Sequence, residues 1–129
     1  MVGLHGNIFR VYCTHESRTF ETWPNSNEPV PTCPNCGKPL RPQVVWFGEV
    51  FNPDAIEAAV RASQNCDFFF SIGTSGIVEP AASLAYEALR HHANVIEVNP
   101  ESTPLTVFAT HSFPFPAGVF LPHLVEALK

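Results

Sequence analysis

Basic residues are scarce in this sequence. Lys and Arg number seven against twelve Asp and Glu, a formal charge of −5 at neutral pH. Nucleic-acid binders concentrate cationic side chains against the phosphates, so no nucleic acid partner is expected. Long hydrophobic runs are also missing. No stretch approaches the roughly 18 apolar residues of a membrane span, and no basic segment followed by an apolar one opens the chain. A membrane partner is therefore not expected, and the chain reads as unexported and cytoplasmic. Internal repeats are absent too, and 129 residues leave room for one domain with a core, carrying at most a small insertion.

Cysteine is present, four times. In a secreted protein these could form two disulfides, but Cys33-Pro34-Asn35-Cys36 has the spacing of a metal knuckle, which favours reduced thiols. From Cys13 to Pro42 the composition is rich in Ser, Thr, Asn, Glu and Pro and poor in aliphatics, so this segment cannot build a core alone. Cys13, Cys33 and Cys36 offer three thiolates to a tetrahedral zinc ion. A complete zinc ribbon would have a second C-x2-C pair, and here position 16 is Glu. His15 or Glu16 could supply the fourth donor, since imidazole and carboxylate both ligate zinc. The alternative is a degenerate site in which Cys33 and Cys36 bracket an ordinary turn. Cys66, remote in sequence, reads as a small core hydrophobe.

The remainder has the alternating pattern of an α/β domain. Asn7 to Tyr12 reads as a short strand, Gln43 to Glu49 as a second, and Ala55 to Asn65 as a helix begun by Asn52-Pro53. Phe68 to Ile72 suits a buried parallel strand, with Phe68, Phe69 and Phe70 all expected in the core. Gly73 to Gly76 then removes side-chain bulk where backbone N–H groups could approach an anion at the N-terminus of the next helix, Pro80 to His92. Such a turn can equally serve only to reverse the chain. Asn94 to Val98 is another strand. It delivers Asn99 to the carboxyl end of the sheet, where ligands of open α/β sheets gather, although an Asn before Pro100 is also ordinary turn chemistry. Leu105 to Ala109 is expected as a short strand and Val119 to Leu128 as a closing helix begun by Pro122. The strand end at Val45 to Glu49 could pair with an extended peptide, with Val45 and Phe47 lining an apolar slot, or could be a plain core strand.

Taken in order, Leu4-His5-Gly6, the cysteine segment, Val44-Val45-Trp46-Phe47-Gly48-Glu49, Gly73-Thr74-Ser75 with Val78 and Pro80-Ala81-Ala82, Val98-Asn99, and Ala117-Gly118 with Leu121-Pro122 resemble the sirtuin family of NAD-dependent protein lysine deacylases. The resemblance implies a partial Rossmann-like, doubly wound and mainly parallel α/β sheet over 1–12 and 43–129, with a zinc-ribbon-like insertion at 13–42. It implies His5 as general base. In the family the acyl-lysine carbonyl oxygen attacks the nicotinamide ribose, nicotinamide leaves, and the His activates a ribose hydroxyl, giving free lysine and O-acyl-ADP-ribose. Gly73, Thr74, Ser75, Val78, Asn99, Glu101 and Ala117 would hold the adenosine half of NAD. Val45, Phe47, Gly48 and Glu49 would bind an acylated-lysine protein or peptide. The family's Gly-Ala-Gly-x-Ser loop and Gln-Asn-x-Asp motif have no counterpart in the 129 residues. The resemblance therefore matches the C-terminal half of a sirtuin, and the expectation is weak or absent NAD binding, no turnover by this chain alone, and association with a complementing N-terminal half or with itself, the alternatives being a non-catalytic zinc- and peptide-binding module or a non-functional remnant.

Overall fold

A computed structural model describes residues 2–24 and 27–129; positions 1, 25 and 26, inside the expected 1–12 and 13–42 segments, lie outside the described residues. The chain divides into two compact units, Met1–Ala55 and Ile56–Lys129.

The first unit is built on a three-stranded antiparallel sheet of order β2-β1-β3, with β1 at Gly6–Cys13, β2 at Arg18–Phe20 and β3 at Arg41–Val44. Side chains alternate along β1, so Val11 and Cys13 face the same way and are fully buried. They meet Cys33 and Leu40, with Phe20 and Cys36 packed at the edge. Of the four buried residues two are cysteines, so the aliphatic content of this core is small, as the composition of 13–42 implies. The segments expected as strands at 7–12 and 43–49 thus pair with each other and with the cysteine segment. The second of them is short: β3 stops at Val44, because a turn over Trp46 to Glu49 takes the chain out of the sheet.

In the second unit, β4 at Phe68–Ile72, β5 at Asn94–Val98 and β6 at His111–Phe113 form a parallel sheet of order β4-β5-β6. Three helices follow the same order: α1 at Pro53–Gln64, whose N-terminus lies at the division between the units, α2 at Ala81–Arg90 and α3 at Ala117–Ala127. Asn52 caps α1, its Oδ1 accepting the Asp54 and Ala55 N–H groups at 2.9 and 3.3 Å. Helix α2 presents Ala85 and Ala88 to Val95 of β5, and these small residues form the core with Ala93 and Leu105. Cys66 packs against this core and donates to the Ser63 carbonyl at 3.3 Å, which fits its reading as a small hydrophobe.

Three local expectations fail. Phe69 faces the α2 core, but Phe68 and Phe70 point to the other face of β4 and are 61% and 40% exposed, because strand alternation sends neighbours to opposite sides. Residues 105–109 form turns, with the Phe108 and Ala109 N–H groups both donating to the Leu105 carbonyl, and the strand comes later as β6. Polar anchors decide this. Thr103 and Thr106 donate their hydroxyls to the Glu97 carboxylate, and Thr103 also caps the Leu105 N–H. Finally, α3 starts at Ala117 with Pro116 as N-cap, and Pro122 lies inside it. There Pro122 has no N–H to offer the carbonyl of Gly118, and its ring crowds that carbonyl.

Candidate functional site

Three constellations carry chemistry. The first is the cysteine cluster. The hairpin between β1 and β2 pairs Cys13 with Arg18, and Ser17 at the end of its loop takes φ 51°, turning Glu16 back over the strand. The knuckle loop is closed by the Cys33 N–H to the Lys38 carbonyl at 2.7 Å and the Gly37 N–H to the Cys33 carbonyl at 2.8 Å. The three thiol sulfurs and a Glu16 carboxylate oxygen consequently all lie within 4.8 Å of one another, with Cys13 and Cys36 sulfurs 3.6 Å apart. Tetrahedral ligands at ordinary zinc–sulfur bond lengths stand about 3.8 Å apart, so the donor set fits zinc. Glu16 is the fourth member and His15 is not in the group. Asn35 donates to the same Glu16 oxygen at 3.3 Å, orienting the carboxylate. Burial acts to raise the Cys13 thiol, but hydrogen bonds from the Glu16 and His15 backbone and the neighbouring thiols bring it below the usual value. The Lys38 backbone favours the Cys36 thiolate, yet burial and the Cys13 and Cys33 sulfurs push that thiol up to about 11.

The second constellation surrounds His5. Its imidazole is exposed and meets the Phe51 ring edge-on, centroids 5.3 Å apart, while its carbonyl accepts the Val45 N–H at 3.0 Å. The next residue, Gly6, is at φ 82°, and a Cβ there would stand 2.2 Å from the Gln43 carbonyl oxygen. Gly6→Ala should therefore cost about 3 kcal/mol in chemical denaturation of the first unit, through both strain and the loss of close pairing with β3. A variant as stable as the parent would contradict this. Along the 45–49 segment, Phe47 is 96% exposed, and Gly48 takes φ 85°. Val45, Gly48 and Glu49 border a cleft of about 550 Å³ that also touches Tyr12, Arg41 and Asn52, and Phe47 is not in its lining. The Glu49 carboxylate is engaged by Arg41, at 2.7 Å to one guanidinium nitrogen, and accepts the Trp46 N–H at 3.0 Å. The hydrogen bonds from Arg41 and Trp46 hold its carboxyl far down, to about 2. Arg41 was not among the residues singled out in the sequence, and nothing in its spacing from Glu49 would have shown it.

The third lies at the carboxyl edge of the parallel sheet. The register pairs Ile72 with Val98 and Val98 with Phe113, so Gly73 and Asn99 leave neighbouring strands at the same level. Gly73 and Gly76 have φ of 61° and 63°. The Asn99 side chain donates to the Thr74 carbonyl at 2.7 Å and accepts the Glu101 N–H at 3.2 Å, tying the two loops together. The Thr74 hydroxyl accepts the Gly76 N–H at 3.3 Å. Ser75 and Glu101 are exposed, Val78 is 47% exposed and Ala117 opens α3 half-buried. Beneath this edge is Glu97, 1% exposed, whose carboxylate accepts from Thr103, Thr106 and Ser112; burial opposes its ionisation, and these three bonds outweigh it, lowering its pKa. In the sequence only a carboxylate within the run Asn94 to Val98 would have pointed to it.

A family model described as Sir2 family matches residues 1–80. The chain is 38% identical over its whole length to NAD-dependent protein deacylase 1 of Archaeoglobus fulgidus, of which it covers 53%. It is 42% identical, again over its whole length, to the NAD-dependent protein deacylase of Aquifex aeolicus, of which it covers 54%. Among solved structures, 99% of the chain superposes on 52% of a Sir2 homologue in complex with NAD, with TM-score 0.88 and 39% identity. Another, Sir2Tm bound to a propionylated peptide, aligns with TM-score 0.86 at 27% identity, over 98% of this chain and 55% of that one. The chain spans about half the length of the curated relatives it matches. With the α/β sheet, the glycine turn and the cysteine cluster in the family's order, the chain belongs to the Sir2 family, the sirtuins.

Proposed function

We propose that these residues form the catalytic-base and substrate-strand portion of an NAD-dependent protein lysine deacylase. The observation that carries the reading is in the first unit, where an exposed imidazole is fastened through its own carbonyl to the loop that would receive an extended peptide. NAD, when bound, supplies an electrophilic ribose carbon with nicotinamide as leaving group. His5 takes the proton from a ribose hydroxyl that is to attack the acyl-bearing carbon. Val45, Phe47 and Gly48 align the acyl-lysine peptide by strand addition, and Glu49 holds the turn that presents them. Gly73, Thr74, Ser75 and Asn99 bind the adenosine side through backbone groups at the sheet edge, with Val78, Glu101 and Ala117 around it. The names of the relatives and the NAD and peptide complexes of the neighbours support this reading.

Zinc in the Cys13, Glu16, Cys33 and Cys36 group would be structural: all four coordination positions are filled by protein donors. Free cysteines throughout support a reducing, cytoplasmic setting, and no helix among the described residues is long and apolar enough to cross a membrane. The exposed Phe68, Phe70 and Ile72 on one face of β4 support association with a complementing nucleotide-binding portion or with a second copy.

The test has two arms. Calorimetric titration of the 129-residue chain with NAD at millimolar concentration should show weak or no binding. Joined to the N-terminal portion of the Aquifex aeolicus deacylase and given NAD and an acetyl-lysine peptide, the chain should release nicotinamide from NAD and yield the peptide with its lysine freed and the acetyl group on ADP-ribose. A well-folded joined protein without turnover would refute the reading.

A further inference from the structure

Arg41 lies in β3, ahead of the loop that carries the proposed peptide strand. Its guanidinium binds both Glu49 oxygens, donates to the Val44 carbonyl at 2.7 Å and sits over the Trp46 ring at 5.1 Å from the centroid. The turn closes on itself beneath it: Trp46 N–H donates to Glu49 Oε2, and Glu49 N–H to the Trp46 carbonyl, each at 3.0 Å. Residues 44, 46 and 49 are thereby fixed to one planar cation. Two further contacts go to His5, from Val45 through its N–H and from Phe51 through its ring. Phe47, Gly48 and Val50 carry no such tie, and Phe47 and Val50 are 96% and 89% exposed.

The pair contributes little to stability. Arg41 and Glu49 side chains are 27% and 40% exposed, and such partly solvated ion pairs contribute about 0–1 kcal/mol. Its geometric content is larger. A bidentate fork sets distance and orientation together, and an ammonium in its place is a point charge that cannot hold both oxygens, the Val44 carbonyl and an aromatic face at once.

We propose that Arg41 is a positioning residue that acts through one loop on two partners, setting the peptide-facing backbone at Phe47 and Gly48 and the placement of His5. This rests on the reading of 45–48 as the peptide strand and His5 as base. It predicts that strand and base move together when the fork is lost, although Arg41 touches neither the imidazole nor the outward face of the strand.

The experiment uses nuclear magnetic resonance on the full 129-residue chain and its Arg41→Lys and Glu49→Gln variants, with thermal melting in parallel. Arg41→Lys should shift the melting midpoint by only a few degrees, yet move the His5 ring resonances and speed exchange of the Val45 amide by at least about tenfold. Titration with an acetyl-lysine peptide should perturb the Phe47 and Gly48 amides of the parent chain and bind at least about tenfold more weakly to Arg41→Lys, with Glu49→Gln intermediate because one acceptor oxygen remains. Unmoved His5 and Val45 signals in a folded Arg41→Lys chain overturn the positioning role whatever the peptide does. Moved signals together with a peptide that fails to bind the parent chain support the hold on His5 and overturn the peptide-strand reading instead.

Discussion

A Cys33→Ser chain should retain less than about a tenth of the zinc carried by the parent and should lose the ordered hairpin around Cys13, while the parallel sheet of the second unit survives. Cys33 is 2% exposed, is the residue on which the knuckle loop closes, and lies 3.4 Å from the Glu16 carboxylate. Replacing its sulfur by a harder, protonated hydroxyl removes one of four donors. Even an outer partner of a zinc ligand typically accounts for 10–100-fold in affinity, so loss of a ligand should exceed about 100-fold. The structural cost follows because little else holds this unit: Val11 and Leu40 are its only fully buried aliphatics among the described residues. Binding free energy at such a site is folding free energy. The second unit has its own core of Ala85, Ala88, Ala93, Val95 and Leu105, so helical circular dichroism should persist. Glu16 provides the finer test. Cobalt bound to the parent should give the absorption of three thiolates and one oxygen, and Glu16→Cys should convert it to a four-thiolate spectrum with tighter metal binding. Full zinc occupancy in Cys33→Ser would sink the assignment, and a parent spectrum unchanged by Glu16→Ala would remove Glu16 from the ligand set.

The second large effect concerns His5. In the enzyme joined to an N-terminal portion, His5→Ala should lower kcat by about 10²–10⁴, the usual contribution of a positioned general base, with the peptide KM nearly unchanged. The split is informative because the peptide loop keeps its tie at this position: the bond from Val45 goes to the His5 carbonyl, which alanine retains. Only the edge-on contact of the ring with Phe51 is lost with the base. A variant within twofold of the parent would assign the base elsewhere. A rise in KM matching the fall in kcat/KM would make His5 a binding residue.

Much of the second unit was legible because its signals are local. The apolar run at Phe68 to Ile72, the glycines at 73 and 76 and the helical pattern from Pro80 to His92 each report on residues within one or two turns of one another, and strand, turn and helix follow where expected. Where reading failed, a partner distant in sequence outweighed local preference. Residues 105–109 have the composition of a strand, but Glu97 draws in the hydroxyls at 103, 106 and 112 and folds the loop over itself. Phe68 and Phe70 are as apolar as Phe69, and only the side on which α2 packs separates them.

The sequence by itself determined the α/β order, the Cys33 and Cys36 knuckle, and the sirtuin motifs from Leu4-His5-Gly6 to Ala117-Gly118. Each of these is a property of spacing along the chain, and spacing survives without coordinates. Tertiary structure alone placed Glu16 rather than His15 beside the three thiols and brought Arg41 against Glu49 and Trp46. Adjacent side chains in a four-residue hairpin loop diverge, so only one of two equally suitable donors can converge on the thiols. Outside helices and strands no period links residue 41 to residue 49, and their bidentate contact exists only because the turn after β3 folds back on the guanidinium.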